Sequence, residues 1–182
     1  MASRKPREKP QLILRPSVLN RVQWFQEAPD KQRYGQKLSE QIKERDNFTC
    51  AGCGHRAVKY MNVHHLVEGG DDSPDNLVTL CVACHAVLNI GRNLSLETIE
   101  IWESPIAQVE IVRRTREGVR QGLTLAQVNA PFGLTKGPHN PKSINYAKKL
   151  LLGIGQKQIR VYLPEPLCVV FTDFKQWQWQ LE

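Results

Sequence analysis

No apolar run in the 182 residues approaches the roughly 20 that a membrane-crossing helix needs, so the sequence argues against a membrane partner. A secretory leader is also missing, because the apolar stretch Leu12-Ile13-Leu14 is cut short by Arg15 and Pro16. No internal repeat is visible. One sign of charge is absent over a long stretch: between Glu117 and Glu165 there is no acidic residue, while Arg120, Lys136, Lys142, Lys148, Lys149, Lys157 and Arg160 all fall there. Such asymmetry suits a polyanion, because Lys and Arg release counterions condensed on a phosphate backbone. The ordinary alternative is a solvated surface.

With 41% hydrophobic and 24% charged residues and a formal net charge of +7, the composition is that of a globular cytoplasmic protein able to bury a core. A second basic run, Arg4, Lys5, Arg7 and Lys9, lies in a segment punctuated by Pro6, Pro10, Pro16 and Pro29.

Four of the five cysteines form two CxxC pairs, Cys50/Cys53 and Cys81/Cys84. Two thiolates so spaced can both turn toward one ion about 2.3 Å away, and two such knuckles complete a tetrahedron. Disulfides are the alternative, and a reducing compartment favours metal. The interval Gly54 to Leu80 is longer than in a short zinc ribbon and contains His64-His65, while the second CxxC runs directly into His85. Adjacent residues of a strand point to opposite faces, so His64 and His65 cannot both bind one ion from an ideal strand. One facing a metal and the other facing substrate is what a single-metal hydrolase wants. Alternatively the three histidines are structural, as further zinc ligands or hydrogen-bonded surface groups. His55 reads as a local hydrogen bonder, His139 as exposed loop, and Cys168 as a small buried hydrophobe.

Pattern places an amphipathic helix over Gln36 to Arg45, where Leu38 and Ile42 lie four apart. Tyr60 to Val67 reads as a strand, 68–76 as a loop, Leu77 to Leu80 as a return strand, and Cys84-His85 as the opening of a helix to about Asn89. Further elements are a short helix around Val18 to Phe25, a strand at Thr98 to Trp102, and a helix from Ser104-Pro105 to Gly118. A Thr124/Gln127 capping box, a helix over Ser143 to Leu152, and strands at Ile159 to Leu163 and Leu167 to Phe174 complete the series.

The string Arg45-Asp-Asn-Phe-Thr-Cys50-Ala-Gly-Cys53-Gly, then Val63-His64-His65-Leu66, Gly69-Gly70, Asp75-Asn76-Leu77 and Leu80-Cys81-Val-Ala-Cys84-His85 resembles HNH endonucleases of the cysteine-containing kind. The resemblance implies an α+β chain with a ββα-metal core stapled by a four-cysteine zinc site, and a helical and small α/β C-terminal extension. On this reading the chain divides into a basic, Pro-rich arm over 1–32, the HNH unit over 33–92 and the extension over 93–182.

By the same resemblance His65 is the general base that takes a proton from the attacking water, and His64 and His85 hold one divalent ion. That ion is Mg²⁺, Mn²⁺, Ni²⁺ or Zn²⁺ and stabilises charge in phosphodiester hydrolysis. Asn76 pins the loop and orients His65 by a hydrogen bond. DNA is the implied substrate, with Arg113, Arg114, Lys142, Lys148 and Lys149 as candidate contacts. A homodimer or a protein partner through the C-terminal region is a further expectation.

The flanks carry weaker signals. Leu123 to Thr135 faintly resembles a helix-turn-helix interrupted by Pro131, and Trp177 and Trp179 would share one face of a strand. The stretch Ile101-Trp102-Glu-Ser-Pro-Ile-Ala-Gln108 is similar to IcmJ-type adaptors of type IVB secretion. That likeness implies the alternative to an enzyme: a catalytically silent, zinc-stapled adaptor or nucleic-acid-binding module.

Overall fold

The computed structural model describes residues 12–19, 35–67, 70–135, 145, 149 and 160–172. Helix α1 (Gln36–Arg45) is the amphipathic segment expected from sequence, with Ser39 and Ile42 buried and Lys43 and Arg45 in the last turn, where cations complement the helix dipole. Asn47 and Phe48, both at φ 51°, turn the chain back, and the Phe48 amide donates to the Lys43 carbonyl at 2.8 Å.

Strands β2 (Met61–His65) and β3 (Leu77–Cys81) form an antiparallel hairpin in which His65 faces Leu77 and Met61 faces Cys81. Helix α2 (Val82–Leu88) follows without a break, its start capped by the Cys81 sulfur, which accepts from the Cys84 amide. The expected ββα unit is thus present. Arg45 and Asp46 fasten α1 to it: the Arg45 guanidinium donates to the Leu77 carbonyl at 2.7 Å, and Asp46 Oδ2 accepts from the Thr79 amide at 2.8 Å.

Three elements differ from expectation. Residues 17–19 are a strand, β1 (Ser17–Leu19), rather than the start of a helix, because their partner is β5 (Arg160–Tyr162), distant in sequence. The helix expected from Ser104-Pro105 begins later, as α4 (Gln108–Arg120), since the Ser104 hydroxyl binds its own local backbone, accepting from the Ile106 amide at 3.1 Å. Gly118 does not end that helix. It lies inside α4, where a Cβ would stand 2.3 Å from Val128 Cγ2, so its missing side chain lets α5 (Leu125–Asn129) approach. The Thr124/Gln127 capping box forms as expected, and a 3-10 turn over Ala130–Phe132 takes up Pro131.

Helix α3 (Ile90–Ser95) leads into β4 (Ile99–Glu103), which pairs antiparallel with β6 (Leu167–Phe171). Buried Gln108 clamps that pair to α4, donating to the Val169 carbonyl at 3.0 Å and accepting from its amide at 2.7 Å. The largest apolar cluster runs from Val18 through Leu80, Val87 and Ile101 to Leu163 and Phe171. Side chains from the arm, the ββα unit and the extension therefore share one core. No described helix is long and apolar enough to cross a membrane. The expected helix over Ser143 to Leu152 lies outside the described residues except at 145 and 149, both helical; Trp177, Trp179 and His139 also fall outside them.

Candidate functional site

The first CxxC turn is shaped by its hydrogen bonds. The Cys50 amide donates to the His55 carbonyl at 2.7 Å, and the Gly54 amide to the Cys50 carbonyl at 2.9 Å. A Cβ on Gly52 would lie 2.9 Å from the Cys84 sulfur, so only glycine leaves room for the second pair. The four sulfurs all lie within 4.8 Å of one another, in buried residues, and among the described residues form a cluster able to hold a metal ion. The Cys53 and Cys81 sulfurs are 3.7 Å apart. An ion about 2.3 Å from each sulfur at the centre of a tetrahedron separates them by about 3.8 Å, so the four thiols fit one ion.

The four thiols are also hydrogen-bonded to one another. Hydrogen bonding from Cys50 holds Cys53 far below the ordinary thiol range, whereas bonds involving Cys50 and Cys53 hold Cys81 and Cys84 well above it. The fifth cysteine behaves otherwise. Burial pushes Cys168 up to about 12, which makes it an inert packing group.

On the hairpin, His64 and His65 are both buried, at 6% and 5% exposure. The His64 ring meets the His85 ring edge-on with centroids 5.7 Å apart. That separation lies within the range of edge-to-face ring packing and also within the roughly 5–6 Å between the centres of two imidazoles bound through nitrogens about 2.1 Å from one ion. His65 has a different neighbour: its Nε2 lies 2.9 Å from Asp72 Oδ1, and that carboxylate is 55% exposed.

The loop that presents Asp72 is pinned by Asn76. Its Oδ1 accepts from the Val67 amide at 2.8 Å, and its Nδ2 donates to the Asp71 carbonyl at 2.9 Å and the Val67 carbonyl at 3.2 Å. Gly70 permits this, since a Cβ there would come within 2.5 Å of Asn76 Nδ2. Asn76 therefore holds the loop backbone, as expected, but the expected bond from Asn76 to His65 is not among those it makes; the side chain on the imidazole is Asp72. Sequence reading missed Asp72. The available signal was its place in an acidic loop seven residues after a buried histidine. Beside it, hydrogen bonds from Ser73 lower the Asp71 carboxyl below its usual range.

Of the candidate nucleic-acid contacts, Arg113 donates from Nε to the Cys53 carbonyl at 3.0 Å, and Arg114 pairs with Glu110 at 2.8 Å on the exposed face of α4. Lys149 is exposed. Lys142 and Lys148 lie outside the described residues.

The HNH endonuclease family model matches residues 50–88. The chain is 36% identical over 70 residues to the type IV methyl-directed restriction enzyme EcoKMcrA of Escherichia coli K12, covering 33% of this chain and 25% of that one. It is 38% identical over 57 residues to a probable HNH endonuclease of Lactococcus phage SK1, covering 26% and 61%. Anaredoxin of Nostoc sp. strain PCC 7120 is 34% identical over 70 residues, covering 37% of this chain and 87% of that one. The chain thus spans a quarter of the first of these relatives and about three fifths of the second.

Proposed function

We propose, from the premise that the chain belongs to the HNH endonuclease family through residues 50–88, that it is a metal-dependent endonuclease hydrolysing DNA phosphodiester bonds. One observation carries the reading: a buried histidine with a carboxylate partner stands next in sequence to a second histidine whose ring meets His85 at ion-sharing distance. His65 is the general base, His64 and His85 hold a divalent ion, and the four cysteines hold a structural zinc.

His65 removes a proton from water as the water oxygen attacks phosphorus. The bond from phosphorus to the 3′ oxygen breaks, leaving a 5′-phosphate and a 3′-hydroxyl that takes a proton from solvent. When bound at His64 and His85, a divalent ion supplies Lewis-acid stabilisation of charge on the phosphoryl oxygens and the departing oxygen. Asp72 is a positioning residue: a carboxylate accepting from one ring nitrogen fixes the tautomer that keeps the lone pair on the other. Asn76 acts one step further out, holding the loop on which Asp72 rides.

Purified protein retaining its zinc is expected to nick supercoiled plasmid when Mg²⁺, Mn²⁺ or Ni²⁺ is supplied, and to stop when that ion alone is withdrawn. Absence of cleavage with every ion, on duplex and single-stranded DNA, would remove the enzyme reading and leave the zinc-stapled adaptor. Asp72→Ala is expected to lower kcat by about tenfold to a hundredfold with little change in KM, and Asp72→Glu to restore part of it. Equal rates for the parent and Asp72→Ala would show that the carboxylate does not position the base.

A further inference from the structure

A cleft of about 420 Å³ lies between the first cysteine knuckle and the second half of α4, away from the histidines just described. Its walls are Cys53, Gly54, His55 and Arg56 on one side and Arg113, Arg116, Glu117 and Arg120 on the other. Positions 113, 116, 117 and 120 follow the three-and-four spacing that puts side chains on one face of a helix. Four arginines and one glutamate thus line the cleft, and Glu117 Oε1 accepts from Gln121.

Two of the arginines are anchored by part of their guanidinium. Arg113 uses Nε on the Cys53 carbonyl, and Arg56 binds Asn47 through Nε at 3.1 Å and Nη2 at 2.9 Å. These bonds set their direction. Clustered guanidiniums repel one another, and planar forks of this kind match the paired oxygens of a phosphate. From Arg113 to Arg120 the helix advances roughly 10 Å, enough to face two neighbouring phosphates of one strand.

We propose that this cleft binds successive phosphates of one DNA strand, gripping the duplex through the zinc knuckle and α4 while the hairpin histidines meet the scissile bond. The inference rests on the nuclease reading for its ligand. It extends the contact surface from the exposed lysines and arginines named by sequence to a built groove that includes Arg56, Arg116 and Arg120. A rival account is that the guanidiniums only balance the charge of four thiolates on a divalent ion. That account ties the arginines to metal retention and not to DNA.

The test uses the full chain carrying His65→Ala, so that a fluorescein-labelled 20-base-pair duplex stays intact, with anisotropy titrations from 50 to 250 mM KCl. Adding Arg116→Gln and Arg120→Gln, which leave the Arg113 bond to the Cys53 carbonyl in place, is expected to weaken binding about tenfold at 100 mM salt. The slope of log affinity against log salt should become shallower by about two, roughly 0.9 per lost phosphate contact. Bound zinc should be unchanged, and Arg92→Gln, an exposed arginine on α3 outside the cleft, should bind like the parent. Unchanged affinity and slope in the double variant, with the parent binding normally, would overturn the proposal. Loss of zinc from the double variant would overturn it in favour of thiolate balancing. A parent that binds no duplex at 50 mM salt would instead bring down the nuclease reading itself.

Discussion

Replacing His65 by alanine is expected to cut the rate of plasmid nicking by about a thousandfold while the protein keeps its zinc and its fold. The imidazole sits at the last position of β2 with 5% exposure, and its loss deletes the group proposed to take the water proton. Neither Asp72 nor His64 is suited to substitute. Asp72 is largely solvated, an ordinary carboxylate is a much weaker base than imidazole, and His64 is committed to the pair with His85. The structural cost is modest, because the freed Asp72 carboxylate turns to water and the cysteine cluster is built from the opposite end of the hairpin. Nicking rates under saturating divalent ion, beside zinc content and thermal melting, separate these effects, and His65→Gln serves as a bulkier control with the same expected loss. A His65→Ala protein that cleaves within tenfold of the parent would mean that the base lies elsewhere.

Loss of the cysteine-held ion is expected to be more drastic still, abolishing cooperative unfolding as well as cleavage. Structural zinc in small domains contributes roughly 10–16 kcal/mol of folding free energy, against a total stability of about 5–15 kcal/mol for an ordinary domain. Here Cys81 closes β3 and caps α2 while Cys84 is fully buried one turn on. An ion held by the four cysteines would thus join the knuckle at residues 50–53 to the strand and helix that carry the histidines. His85 follows Cys84 directly, so a metal held there would also set the position of the proposed ligand for the reacting ion. Cys81→Ser, or stripping with a strong chelator, should replace a sharp circular-dichroism melt with a broad one and end nicking even when divalent ion is restored. A serine variant melting within a few degrees of the parent would show that the thiolates do not staple the domain.

The parts legible in sequence are those whose information is local. α1 spans the residues that the Leu38/Ile42 spacing marks, the two CxxC pairs converge, and the histidine strand and its return strand pair as read. Residues 17–19 are not legible as a strand, because three residues among prolines carry no strand pattern; what makes them extended is a partner at 160–162, which local propensity cannot report. The start of α4 was placed early because Ser104-Pro105 looks like a cap, yet the Ser104 hydroxyl is taken by Ile106. Asp72 was passed over because an acidic loop reads as solvated, and only the fold sets one of its carboxylates against His65. The arginine cleft was half legible. Arg113 could be named as basic, but its approach to the Cys53 carbonyl depends on the packing of α4 against the knuckle.

The three two-stranded sheets among the described residues also impose an order of assembly on the growing chain. The β2–β3 hairpin joins neighbours in sequence and loses little chain entropy on closing. The other two sheets join β1 to β5 and β4 to β6, so neither can form until residues 160–171 have been made. A ribosome making this chain therefore presents a finished β2–β3 hairpin while Val18, Leu88 and Ile101, buried in the folded molecule, still await the strands that cover them. Until residue 171 emerges, that face is the part of the protein most open to chaperones and to aggregation.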